Sequence, residues 1–252
     1  MSVTSTALVS RGPKGPRSLC LRVQSGCSAY NVGVTDISVK KLAEANFPTR
    51  WGLFRILGFE GYFPGTMVPE ANHPAAGKPE RRKESAVALV MGDIHSTPPL
   101  VRIHSQCLTG DVFGSLRCDC RQQLELALSA IAEATNGILI YEEQEGRGIG
   151  LMAKLQAYEL QDSGLDTVQA NEKLGFKADE REYNLPVQIL RILGVKQVRL
   201  LSNNPDKVAA LERGDIEVTE RVPCEVEPTP YAEKYIETKR EKMGHLFSTR
   251  FP

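Results

Sequence analysis

The sequence predicts an α/β fold, a single domain with a mixed β-sheet flanked by helices. Three observations carry this reading. From about residue 86 onward, short runs rich in Val, Leu and Ile alternate with segments whose apolar residues recur at helical spacing. Two strand-like runs, AVALVMG (86–92) and PLVRIHS (99–105), follow one another without a helical stretch between them, so some antiparallel pairing is expected near residues 86–105. PDKVAALERG (205–214) has Pro at its first helical position and Gly at its end, the usual asymmetry of a helix.

In chain order, the first 35 residues contain no Asp or Glu, four basic residues and six serines. That composition resembles a transit peptide but lacks an amphipathic repeat, so residues 1–40 are expected to be a flexible segment and residues 41–252 the folded domain. Gly61, Pro64, Gly65, Pro69, Pro74, Gly77 and Pro79, followed by the charge run KPERRKE, predict a surface loop over 61–84. After the two strands comes a helix from Cys120 to about Glu133, on which Leu124, Leu128 and Ile131 share a face. GILIYEE (137–143) reads as a buried strand, then a glycine-rich turn and a helix through Leu160. A helix over 183–194, a strand over 198–203, the helix 205–214, a strand over 216–223 and a charged helix from about Ala232 to Met243 complete the pattern.

A formal net charge of zero excludes a general nucleic-acid binder, which would carry a basic excess. No apolar run approaches the ~18 residues of a membrane span, so neither nucleic acid nor membrane is an expected partner and a cytoplasmic protein is expected.

Three of the six cysteines crowd into HSQCLTGDVFGSLRCDC (104–120). Soft thiolates are the donors zinc prefers, and three of them with an open fourth position is the pattern of a catalytic site. A closed structural site with His104 as fourth ligand to Cys107, Cys118 and Cys120 satisfies the same spacing. Asp119 is the expected N-cap of the helix that follows, whose positive end favours thiolates. Cys20, Cys27 and Cys224 read as small buried hydrophobes. The C-x-x-C and His-x-Glu of the zinc deaminases are absent.

EEQEGRGIGL (142–151) lies between a strand and a helix, where Gly146, Gly148 and Gly150 let the backbone approach an anion and Arg147 can hold phosphate or a purine edge. LSNNPDK (201–207) repeats that logic with Lys207, and two anion sites suggest a polyphosphate substrate. Asp179 and Arg181, in ADER, share no helix face, so a common site needs a loop there; an ordinary surface ion pair is the alternative.

From about Lys41 to Phe247 the chain resembles GTP cyclohydrolase II of riboflavin synthesis, on the motifs HSQCLTGD, SLRCDC, EQEGRGIGL, YELQD, DTVQAN, LGFKADERE, LLSNNPDK and EKMGHL, in order and with the family's spacing. The resemblance implies that Cys107, Cys118 and Cys120 hold a zinc ion with an open position, where water attacks C8 of guanine and formate is released. It implies Asp179 as proton acceptor and Arg181 as nucleophile toward the α-phosphate, expelling pyrophosphate, although a guanidinium is always protonated and by its chemistry is a phosphate clamp. Tyr158 matches a tyrosine tied to full release of formate. Arg102, His104, Ser105, Gln106, Gln123, Glu145, Gly146, Arg147, Thr167, Ser202 and Lys207 fall on nucleotide-contacting positions. Mg2+ with the triphosphate and a homodimer follow from the same resemblance.

Gln106 stands where the family has Glu, Ser202 where it has Thr, and Arg121 where it has Gly. Residues 61–84 exceed the family's need, and the N-terminal segment is too short for the second synthase domain of fused relatives, so a single activity is expected. An enzyme that retains the formyl group and a zinc-stabilised nucleotide-binding protein without turnover are the alternatives.

Overall fold

In the computed structural model, which describes residues 37–63 and 82–248, the chain opens with a long antiparallel hairpin. β1 (Ser38–Thr49) pairs with β2 (Gly52–Phe63), and β2 with β3 (Arg82–Met91). β3 runs antiparallel to β5 (Gly137–Glu142), while β4 (Leu100–Ser105), β5, β6 (Gln197–Leu201) and β7 (Glu217–Val222) pair in parallel, in the order β1-β2-β3-β5-β4-β6-β7. The sheet is therefore mixed and the domain single, as the sequence predicts. The antiparallel pairing expected near 86–105 is present at β3 alone, through β2 and β5, because β4 lies inside the parallel half.

Helices cover both faces. α1 (Cys120–Ala134) turns Ala127, Leu128 and Ile131 onto one face, against Phe54, Leu89, Leu100 and Leu139. α4 (Asn184–Ile192) and α5 (Pro205–Arg213) cover the other, where Leu185, Ile189, Leu190 and Leu211 meet Leu57, Phe59, Val101, Ile103, Ile138 and Ile140. Each such buried side chain contributes about 1.5–3 kcal/mol relative to exposure. α2 (Leu151–Asp162), α3 (Thr167–Lys173) and α6 (Glu233–Lys242) pack on one another, α2 on α3 and α3 on α6. No helix among the described residues is long and apolar enough to cross a membrane.

The structure adds three elements to the sequence reading. β1 begins at Ser38, so the boundary drawn at residue 40 falls inside a strand. β2 and β3 absorb residues 61–63 and 82–84 from the expected loop, and 64–81 lie outside the described residues, as do 1–36. β1 is an edge strand with exposed Lys40, Lys41 and Glu44, a bulge between Lys41 and Ala43, and Pro48 near its end. Those features protect an edge and erase the alternation by which a strand is recognised. α3 is short, but Asp166 and Gln169 form a reciprocal capping box at its start.

Candidate active site

The topology selects where a site forms. The chain leaves β4 for α1 on one face, while β5 and β6 lead to α4 and α5 on the other, which opens a crevice over the carboxyl end of β4. Alternation along β4 sends Arg102 and His104 to the α1 face and Ser105 to the opposite one. Beyond Ser105 a wide helical turn, Leu108–Val112, returns the chain to the start of α1.

That return brings three sulfurs together. The Sγ atoms of Cys107, Cys118 and Cys120 all lie within 4.8 Å of one another, with Cys107 and Cys118 3.7 Å apart. Cys107 caps the wide turn, accepting from the Gly110 N–H at 3.4 Å. Contact with Cys118 and Cys120 lowers the Cys107 pKa well below its ordinary value, while Cys107 pushes Cys118 up to about 11 and Cys120 well above its ordinary value. The cluster by itself favours one thiolate beside two thiols, and a soft divalent cation is what ionises all three. The donor set thus fits a metal.

Gly110 sets the size of this nest: a Cβ there would stand 2.9 Å from Cys118 Sγ, 3.0 Å from Cys107 Sγ and 3.2 Å from Cys120 Cβ. Gly110→Ala is therefore expected to keep the fold and weaken metal binding roughly 10- to 100-fold, measured by competition with a chelator. Wild-type affinity in that variant would contradict the crowding.

His104 is not drawn to the sulfurs. Its Nε2 lies 3.1 Å from the Asp111 carboxylate, its ring stacks on Tyr141 at 5.5 Å, and burial lowers its pKa. Asp111 also accepts from the Cys107 N–H at 3.0 Å and the Tyr141 hydroxyl at 2.9 Å, so this group fixes the backbone from which Cys107 projects. Asp119 does stand at the N-cap of α1, but its carboxylate makes no capping bond. It accepts from Gln123 Nε2 and from Lys239 Nζ, both at 2.6 Å, and Gln123 in turn accepts from Arg102 at 2.8 Å. Lys239→Met would leave that buried carboxylate without its cation. The expected cost is about 3–5 kcal/mol, read as a lowered urea midpoint; a loss below about 1 kcal/mol is what a surface pair would give.

The glycine turn Glu145–Gly148 forms the facing wall. Gly146 and Arg147 both have φ of 63°, and a non-glycine residue held there costs on the order of 1–3 kcal/mol. Glu145 ties this wall to the Leu108–Val112 turn, accepting from the N–H groups of Leu108 at 2.6 Å and Gly146 at 3.1 Å and from Lys154 Nζ at 2.7 Å. The strained backbone delivers Arg147 buried, with both terminal nitrogens lacking any hydrogen-bond partner and its guanidinium 5.2 Å from the Tyr235 ring. A buried guanidinium without an acceptor is a place for an anionic or carbonyl-bearing ligand.

Asp179 and Arg181 lie in the irregular segment between α3 and α4, as a shared site requires. Arg181 donates to both carboxylate oxygens, with Nε at 2.9 and 3.1 Å, and its Nη1 reaches Ser105 Oγ at 3.4 Å. The Arg181 and Asp179 side chains are only 12% and 20% exposed, which sets the pair apart from a surface ion pair. Burial opposes both charges; Tyr183 and Asp179 nevertheless raise the Arg181 pKa, and Arg181 holds the Asp179 carboxyl below its usual range. Ser105 donates to Glu142 at 2.8 Å, a carboxyl that burial pushes up to about 7 against the pull of Lys207.

Two adjoining hollows share Ser105, Cys120, Arg147, Arg181 and Tyr235. The first is lined by the three cysteines with Gln106, Glu145, Gly146, Tyr158 and Thr167. The second gathers Arg102, His104, Gln123, Ser202 and Lys207. Lys207 is buried and donates to the Ile103 carbonyl at 2.7 Å; burial, then Arg102 and Arg181, push its pKa well down. The crowding of Arg102, Arg181 and Lys207 in and around one hollow suits an anionic ligand. Sequence reasoning missed Lys154, Tyr235 and Lys239, which reach the hollows from other elements and carry no local motif, and it did not single out Asn203 in LLSNNPDK or His245 in EKMGHL. Cys224 is buried, as expected of a small hydrophobe, while Cys20 and Cys27 lie outside the described residues.

A family model described as GTP cyclohydrolase II matches residues 40–223. The chain is 50% identical over 209 residues to "GTP cyclohydrolase-2" of Histophilus somni, covering 82% of this chain and 88% of that one. It is 50% identical over 213 residues to "GTP cyclohydrolase-2" of Cronobacter sakazakii, covering 84% and 99%. With "Riboflavin biosynthesis protein RibBA" of Chlorobium phaeovibrioides it shares 49% identity over 211 residues, which is 83% of this chain and 47%, about half, of that relative. Tyr235, Lys239 and His245 lie beyond the span of the family match.

Proposed function

The chain belongs to the GTP cyclohydrolase II family, and on that premise we propose that it hydrolyses GTP as the first step of riboflavin biosynthesis. The imidazole ring opens, formate and pyrophosphate leave, and the product is 2,5-diamino-6-(5-phosphoribosylamino)pyrimidin-4(3H)-one. One observation carries the reading: three clustered sulfurs and the partnerless, buried Arg147 line the same cleft, and Arg181, which grips Asp179, stands where that cleft adjoins a cationic hollow.

Cys107, Cys118 and Cys120 hold the metal, which we take to be zinc from the all-sulfur donor set. When bound, zinc supplies Lewis-acid activation for hydrolysis at C8 of the guanine. The protein's own groups do the rest. Arg147 and Glu145 hold the purine side of the cleft, with Gln106 and Thr167 on its rim. Arg102, Gln123, Ser202 and Lys207 receive the triphosphate, which Mg2+ accompanies. Arg181 clamps the α-phosphate: its donors are already forked onto Asp179, and its raised pKa keeps it a cation, not a nucleophile. Asp179, held ionised by the same pairing, accepts the proton. Tyr158, whose hydroxyl lies 3.2 Å from Thr109 Oγ1 beside the sulfurs, favours complete loss of the formyl group. The family reading also makes the enzyme a cytoplasmic homodimer.

The test is incubation of purified protein with GTP and Mg2+, quantifying formate, pyrophosphate and the pyrimidine by mass spectrometry. All three in equal amounts are expected. Pyrophosphate with a formylated pyrimidine would contradict the role of Tyr158, and no turnover by folded, zinc-loaded protein would overturn the reading.

A further inference from the structure

Three thiolates around a divalent ion leave excess negative charge at the centre and blunt the ion as a Lewis acid. Glu145, another carboxylate, adds to the difficulty, because it is buried in the same wall. The one cation in hydrogen-bond contact with the sulfurs among the described residues is Lys154, on the first turn of α2. Its ammonium has three N–H donors and three acceptors: Glu145 Oε1 at 2.7 Å, Thr109 Oγ1 at 2.9 Å and Cys107 Sγ at 3.2 Å. The first two fix the ammonium in place, and the third points its remaining hydrogen at the metal-binding sulfur. Thr109 also contacts the Tyr158 hydroxyl, so the same ammonium steadies the tyrosine beside the sulfurs.

We propose that Lys154 is a positioning residue of the metal centre, donating a charge-assisted N–H···S bond to Cys107 that offsets the charge of the three thiolates and sharpens the bound ion's Lewis acidity. The proposal rests on reading the three cysteines as a zinc site. A merely structural lysine would need Glu145 alone; the contact to sulfur is what distinguishes this one. Removing a donor from a ligating sulfur makes that sulfur a stronger electron donor to the metal, a change of the outer-shell kind that typically costs 10- to 100-fold in activity.

The test uses the full-length protein with cobalt(II) in place of zinc, whose sulfur-to-cobalt charge-transfer band reports on the thiolates directly. Wild type must show the band; its absence would overturn the zinc-site reading itself and leave Lys154 unsupported. In Lys154→Gln the band is expected to move to lower energy. In the zinc-loaded variant kcat should fall roughly 10- to 100-fold while KM stays close to wild type. Lys154→Arg, which keeps the charge and N–H donors, should return the band toward its wild-type position and recover most of kcat. An unmoved band in metal-loaded Lys154→Gln would overturn the proposal, as would Lys154→Arg behaving no better than Lys154→Gln. Should Lys154→Gln fail to fold, the band of Lys154→Arg decides: near the wild-type position it supports the proposal, displaced it overturns it.

Discussion

Cys118→Ala is expected to yield a folded protein that retains almost no metal and releases no measurable formate from GTP. Cys118 sits 3.7 Å from Cys107 and contributes one of only three sulfurs. Dividing the ~10–16 kcal/mol of a zinc site among three ligands assigns roughly 3–5 kcal/mol to each, so affinity should drop on the order of a thousandfold. The fold should survive because Cys118 belongs to neither apolar cluster that packs the sheet, and α1 starts only at Cys120. Metal content per chain, far-ultraviolet circular dichroism and formate release on one preparation check this. A variant that loses metal and unfolds would mark the site as structural; one that loses metal and keeps its turnover would remove the metal from the chemistry.

Arg181→Gln should lower kcat by roughly 10²- to 10³-fold, the usual cost of deleting one group that stabilises developing charge. Metal content should not change, since Arg181 donates to Asp179 and Ser105 and to no cysteine. Arg181→Lys tests the charge that a clamp needs. A clamp needs positive charge near the α-phosphate, so Lys should retain more activity than Gln while losing the fork that grips Asp179 on two oxygens. Equal kcat/KM values for the Lys and Gln variants, or a nucleotide adduct on Arg181 found by mass spectrometry, would contradict the clamp.

The elements that hold the site were legible because their signals are local. Pro205 and Gly214 bracket α5, and the apolar run Ile138–Leu139–Ile140 reads as a buried strand. β1 and β2 were not legible: β1 faces solvent along most of its length, and β2 divides its apolar residues between two faces, Phe54 and Ile56 toward α1 and Leu57, Phe59 and Phe63 toward α4. The cysteine cluster could be read because all three residues fall within one loop-to-helix passage. Tyr235 and Lys239 could not, since a tyrosine and a lysine on a charged helix carry no mark of the cleft that tertiary folding brings them to. Asp119 shows the same limit from the other side. It stands where a cap belongs, yet Lys239, 120 residues away, takes the carboxylate that a local rule would assign to the helix N-terminus.

The most direct measurement is a titration of metal-free protein with zinc while formate release from GTP and Mg2+ is followed. Formate production is expected to be absent at the start, rise linearly and break at one zinc per chain, with circular dichroism constant throughout. Full turnover before any zinc is added, or a rise in activity that merely tracks refolding, would contradict a catalytic centre built on Cys107, Cys118 and Cys120.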